Sequence, residues 1–197
     1  MGYGYRGVFL LLIFAALANV SYGEKLIIDD MTRTEGTPRG ENCENKDSRW
    51  CLVTDQVMGG ISKGELVLSP SVRDGFIKLK GLVSTDNNGG FIQARTFIEN
   101  HPDNVEFRGI RIKVRGNNQE YAIHIRTKYL VLPWQYYSVK FQALSTWETL
   151  ELKLSHFKKS NFYQPNNFQS KDIRSVALVA IGKDFSADVD LGLLEFF

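Results

Sequence analysis

The side chains best suited to holding a ligand in this 197-residue chain lie between positions 111 and 137. Arg111, Arg115, His124 and Arg126 alternate with apolar residues along two short runs, and Trp134, Tyr136 and Tyr137 follow closely. Aromatic faces beside hydrogen-bonding cations can hold a sugar or an acidic glycan, or act as hot spots for a protein partner. The alternative is a solvated sheet face laced by pairs such as Arg115 with Glu120. Arg111, His124, Arg126, Trp134 and Tyr136 are therefore the candidate ligand- or partner-binding residues.

Catalysis has less to build on. His101, His124 and His156 are far apart, and no G-x-S-x-G, H-E-x-x-H or P-loop is present. No catalytic residue is assigned and the chain is expected not to be an enzyme. The contrary case needs a pocket in which the fold brings a histidine within hydrogen-bond reach of Ser, Thr or a carboxylate. Asp184, Asp188 and Asp190 surround a turn, and such oxygens hold structural calcium in some sandwiches. Their spacing is not that of an EF-hand loop, and solvated turn carboxylates account for them without a metal. No metal or cofactor is expected.

Composition narrows the partners. With 24 Lys and Arg against 22 Asp and Glu the net charge is +2, so nothing supports nucleic-acid binding, which needs clustered basic charge. Cys43 and Cys51 are the only cysteines; in an oxidising compartment a disulfide is the default, and two buried thiols are the alternative. Their spacing excludes a CxxC motif, and the nearest histidine is the distant His101. Arg6, an apolar run over residues 8–18 and small residues at Ser21 and Gly23 predict a secretory signal peptide over 1–23. The run is short for a membrane span and no later one is longer, so no transmembrane span is expected in the mature chain. Residues 24–197 suit one domain.

The elements that must position these residues are strands. A short strand run at 65–68 is followed by period-two alternation over 76–79, 91–97, 110–115, 121–126, 134–141 and 149–154, bounded by Gly, Asn, Asp and Pro. In 91–97, Phe91, Gln93, Arg95 and Phe97 share one side while Ile92, Ala94 and Thr96 share the other. The runs 110–115 and 121–126 read as a hairpin that sets Arg115 opposite Glu120 and Arg111 opposite His124. Residues 173–181, the most apolar, belong at the centre of a sheet, and the last residues form a closing strand. Aromatics scattered through the polar loop 155–172 are expected to fold back onto the sheet. With no helical period, the fold class is an all-β antiparallel sandwich.

Two glycine pairs punctuate the strands, in WCLVTDQVMGGIS (50–62) and STDNNGGFIQAR (84–95). Glycine pairs beside Asp or Asn supply tight turns. Asp55 is expected to accept backbone amides, Met58 to fill a gap, Ser62 to close a local bond, and Asn87 and Asn88 to bond their turn. Arg95 is expected to lock onto Asp55 or Asp86.

In order and spacing, Trp50, Asp55, Val57, Met58, Gly59, Gly60, Ser62, Gly81, Asn87, Asn88, Gly89, Gly90, Phe91 and Arg95 resemble the pattern of the complex I intermediate-associated protein 30 family, from about Leu26 to the C-terminus. The resemblance implies a galactose-binding-like jelly roll. It also implies an assembly-factor or chaperone-like role, as for respiratory complex I in mitochondria. A mitochondrial presequence would be an Arg-rich amphipathic segment, which residues 8–18 are not. The leading expectation is a secreted, non-enzymatic domain that binds protein or carbohydrate; the alternative is a mitochondrial assembly factor for a respiratory or other membrane complex.

Overall fold

The computed structural model describes residues 21–22, 25–32, 49–69 and 71–197. Most of the expected leader, and Cys43 with it, lie outside the described residues. The chain runs β1 (Ser21–Tyr22), β2 (Leu26–Asp29), β3 (Trp50–Thr54), β4 (Lys63–Ser69), β5 (Phe76–Val83), β6 (Phe91–Phe97) and β7 (Val105–Glu106). It continues with β8 (Gly109–Gly116), β9 (Gln119–Thr127), β10 (Tyr137–Ala143), β11 (Glu148–Lys153), β12 (Lys158–Lys159), β13 (Ile173–Ile181) and β14 (Phe185–Phe196).

Two antiparallel sheets form the sandwich. One has the order β12-β10-β9-β13-β6-β3 and the other β11-β8-β14-β5-β4, with β2 also pairing β14. They are called here the β13 sheet and the β14 sheet. A two-residue parallel pairing joins β1 to β7. The fold is an all-β jelly-roll sandwich; among the described residues the only helical elements are single 3₁₀ turns. As its composition implies, β13 lies in the interior of its sheet, between β9 and β6. The final strand is not an edge: β14 lies between β8 and β5.

Alternation decides which side chains enter the core. Ile110, Ile112 and Val114 of β8 and Tyr121, Ile123 and Ile125 of β9 are all buried in one cluster. The expected hairpin between these strands does not form. They lie in different sheets, so the apolar rows meet across the core instead of sharing a face. A period of two fixes in and out, but it does not say which strand lies alongside. The crossing is made at 117–118. Tyr121 Oη donates to Asn117 Oδ1 at 2.6 Å and accepts from Asp188 N at 2.9 Å, while Asn118 takes φ +61°.

The two glycine pairs close around one carboxylate. Asp55 is fully buried and accepts from Ser62 N (3.0 Å), Ser62 Oγ, Gly90 N (2.6 Å) and Phe91 N (3.2 Å). A side chain at Gly60 would put Cβ 2.3 Å from Asp55 Cγ, and one at Gly89 would meet Asp55 Oδ2 at 2.5 Å. Gly59 and Gly90 have φ of +91° and +127°, a region that L side chains rarely enter. One pair member therefore turns the chain while the other leaves room for the carboxylate. Burial alone would raise the Asp55 pKa, but the bonds from Gly90, Ser62 and Phe91 outweigh it and hold the carboxyl below its usual range.

Several expectations for this corner are corrected. Met58 fills no gap: it is 60% exposed, beside Val57 at 70%. Asn87 and Asn88 serve the turn through left-handed backbone, with φ of +56° and +58°, and no side-chain amide bond is found for either among the described residues. Arg95 does not pair with Asp55, whose oxygens are already taken. Trp50 is buried and donates its indole N–H to Asp29 Oδ2 at 2.9 Å, tying β3 to the end of β2.

Candidate functional site

The outer face of the β13 sheet is built from the residues that alternate with the core. Register places Lys158, Ser138, His124, Ala177, Arg95 and Cys51 in one row across all six strands. A second row holds Lys140, Ala122, Val179, Gln93 and Val53. The small side chains of Ala122 and Ala177 are themselves buried among the larger residues of this face. Ala122, Ala177 and Val179 form an apolar cluster of their own, apart from the main core.

His124 and Tyr136 form an aromatic pair on this face. Their rings stack with centroids 3.8 Å apart and 9° between planes. Burial, with the Arg95 charge two strands away, pushes the His124 pKa down to about 3, so the imidazole is neutral at physiological pH. Arg126 directs its guanidinium to the carbonyls of Pro133 (2.9 Å), Leu132 (3.0 Å) and Leu130 (3.3 Å). It fastens the loop that leads to Trp134, which is 57% exposed. Ser160 holds the other side of this loop, donating N–H to Tyr136 O at 2.9 Å and receiving Tyr136 N on Oγ at 3.0 Å. Folding-back of the 155–172 loop is thus half realised. Phe157 is buried and Phe168 packs on Tyr137 at 4.4 Å, but Phe162 and Tyr163 are 83% and 85% exposed.

Arg95 is the residue whose setting is least explained by stability. No hydrogen bond or ion pair reaches its guanidinium among the described residues. Burial, then the Arg126 charge, lower its pKa to about 10. Arg174, exposed near the start of β13, in turn lowers the pKa of Arg126, after burial as the larger cause. Three arginines thus stand on this side of the sheet with no ion pair to a carboxylate among the described residues. The nearby acids are engaged elsewhere: Glu120 with Lys140 at 2.7 Å, and Asp172 with Lys128 at 2.9 Å.

Arg111 is not part of this face. It lies on the β14 sheet, where Nη2 meets Glu151 at 2.7 Å and Nη1 bonds Glu195. Its register partners are Glu151 and Glu195, not His124. The expected Arg115–Glu120 pair is also absent: Arg115 bonds Asp190 at 2.7 Å and lies over the rings of Trp147 and Phe76, at 4.6 and 5.3 Å. The outer face of the β14 sheet is the solvated, ion-paired surface. The expected basic face is thereby split: His124, Arg126 and Tyr136 come together, Trp134 borders them in sequence, and Arg111 is removed to the opposite side of the sandwich.

Ala177 and Arg174 were not singled out in the sequence, and Arg95 makes neither of the ion pairs expected of it. The signal for Arg95 was present in the alternation of 91–97, which set Gln93 and Arg95 opposite Ile92, Ala94 and Thr96.

One histidine does meet a serine. His101 Nε2 lies 2.9 Å from Ser170 Oγ, and Phe107 N donates to the same oxygen at 3.0 Å. Ser170 is wholly buried, with its N–H on Glu106 Oε1 at 2.8 Å, so these bonds fasten a loop and offer no nucleophile to a substrate. The acids near the last turn are also dispersed. Asp184 accepts from Thr85 N and Oγ1, both at 2.7 Å, while Asp188 and Asp190 bind Lys78 at 2.6 and 2.9 Å. Among the described residues no group of three or more His, Cys, Asp or Glu could hold a metal ion.

A family model, Complex I intermediate-associated protein 30 (CIA30), matches residues 41–192. Comparison with curated proteins finds no match. Among solved structures, the chain is similar to the family 11 carbohydrate-binding module of the cellulosomal cellulase Lic26A-Cel5E of Clostridium thermocellum. The identity is 14% and the TM-score 0.65, over 90% of this chain and 95% of that one. The same kind of module in complex with a β-1,3-1,4-mixed-linked tetrasaccharide matches at 14% identity and TM-score 0.65, over 88% and 95% of the two chains. A family 30 carbohydrate-binding module of a Clostridium thermocellum cellulase matches at 11% identity and TM-score 0.51, over 70% and 87%. At such identities the likeness establishes the fold alone.

Proposed function

This chain belongs to the complex I intermediate-associated protein 30 family, and from that premise we propose that it is a non-enzymatic binding domain whose ligand lies on the outer face of the β13 sheet. The observation that carries this reading is the His124–Tyr136 stack, in which half-buried Tyr136 is held flat at 3.8 Å over the neutral, buried ring of His124. Aromatic planes of this kind pack on the apolar faces of sugar rings, while polar neighbours bond the hydroxyls. Carbohydrate-binding modules of the same fold, one of them in complex with a tetrasaccharide, make a glycan the first ligand class to test. The apolar leader over 8–18 supports secretion, and secretion supports a Cys43–Cys51 bridge. Cys51 heads the Arg95 row, so the bridge would tether the preceding segment at the margin of the proposed face, and no cysteine among the described residues is free.

Glycan-array binding by the mature protein, lost in a Tyr136→Ala variant that still unfolds cooperatively, is the expected result. Undiminished binding by that variant overturns the assignment of the face. Mass spectrometry of the protein from its own cells is expected to find a start at Glu24 and a bridged Cys43–Cys51 peptide.

A protein client is the second reading, and the Asp55 corner favours it. Val57, Met58 and Ile61 are 70%, 60% and 46% exposed on a turn that Asp55 makes rigid. Preorganised exposed apolar groups suit protein contacts. A mitochondrial, unbridged form that captures a client through Val57 and Met58 would restore the family's assembly role.

A further inference from the structure

The β13-sheet face carries more positive charge than a neutral sugar needs. On the β14 sheet, by contrast, Arg111 and Arg115 each have a carboxylate within bonding distance. On the β13 sheet Arg95 has neither an acid nor a carbonyl among the described residues, and Arg126 bonds only backbone carbonyls. Withdrawing a guanidinium from water without a counter-charge works against folding, so the position is not explained by stability. Its geometry suits a ligand. Arg95 and His124 occupy one row separated by Ala177, so their Cα atoms are about 10 Å apart at the usual strand spacing. That is about the span of two sugar rings. A sugar ring on half-buried Tyr136, which covers His124, would direct a neighbouring acidic group toward Arg95, also only partly buried, whose planar guanidinium fork binds carboxylate and sulfate in bidentate fashion.

We propose that the ligand of this face is an acidic oligosaccharide, its carboxylate or sulfate bound by Arg95 and its sugar ring stacked beside His124 and Tyr136. The inference rests on the proposed function above and adds the charge of the ligand. Exposed Arg174 and the Arg126 charge contribute attraction, so affinity falls as salt rises.

Titration calorimetry with matched probes separates the two statements. The arms are an oligogalacturonate, its methyl-esterified form, a heparin-derived oligosaccharide, and a neutral mixed-linked glucan tetrasaccharide. The expected result is binding of one acidic probe, with at least tenfold weaker binding of the uncharged probes. Arg95→Gln and Arg95→Lys should each weaken the acidic probe at least tenfold, since Lys keeps the charge but loses the fork. Arg174→Gln, a surface change that cannot disturb the core, should weaken it two- to fivefold. In NMR, the acidic probe should raise the His124 pKa by placing an anion beside Arg95. Equal affinity for charged and neutral glycans, unaffected by Arg95 substitution, overturns the charge assignment and leaves the glycan face standing. Failure of every glycan overturns both. Binding of inorganic sulfate as tightly as of the oligosaccharides would likewise overturn the proposal, since it would leave the sugar no part.

Discussion

Arg95 and His124 stand two strands apart in one row of the β13 sheet, with only the methyl of Ala177 between them. Burial and the charge of Arg95 keep the imidazole neutral, and the neutral ring lies flat on Tyr136. Cation and aromatic platform are therefore one electrostatic unit.

The first prediction concerns titration. His124 should remain unprotonated as pH falls to about 3. An unfolded histidine takes up its proton near 6.5, so the unfolded chain binds more protons between those values. Stability should be full above about pH 6.5 and decline as pH falls below it, by about 1.4 kcal/mol per unit at most. His124→Gln should flatten that slope in chemical denaturation, and Arg95→Gln should raise the His124 pKa in NMR titration.

Arg95 should cost the free protein stability. Arg95→Met, which keeps the aliphatic bulk, is expected to raise stability by about 1 to 2 kcal/mol while ligand binding is lost. A fall in melting temperature instead would mean that the guanidinium has a structural counter-charge.

Asp55 should behave in the opposite way. Asp55→Asn leaves buried amides facing a neutral group that brings its own donors, at a cost of about 2 to 3 kcal/mol in denaturant unfolding. The native carboxyl has a depressed pKa, so its contribution is present above about pH 4, the unfolded value, and is lost as pH falls through the folded value. The Asn variant should lack that part of the acid transition. Gly60→Ala forces Cβ to 2.3 Å from Asp55 Cγ and should be similarly destabilising.

Most of the fold was legible because alternation reports burial directly. The run at 121–126 named its inward residues and the run at 91–97 divided its two sides correctly, and the glycine pairs marked the Asp55 corner and the family. Strand neighbours were not legible. Nothing in residues 110–126 distinguishes a hairpin from a crossing between sheets, because both bury the same isoleucines. That ambiguity put Arg111 beside His124, where the structure sets it against Glu151 and Glu195. Arg95 was misplaced for a related reason. Closeness in sequence to Asp86 suggested an ion pair, whereas the face to which each strand residue points is what decides its partners.

Arg111 gives a control. Arg111→Ala leaves Glu195, only 4% exposed, without its cation, and should cost about 2 kcal/mol or more. Ligand affinity, measured on the folded variant, should be unchanged, because Arg111 lies across the sandwich from the proposed face.

The ligand face is located by an amide and side-chain NMR map of the protein titrated with the tightest glycan probe. Shifts are expected to concentrate at Gln93, Arg95, His124, Tyr136 and Ala177, with Arg111 and Arg115 unmoved. Shifts centred instead on Arg111, Arg115 and Trp147, or confined to Val57 and Met58, would contradict the proposed face.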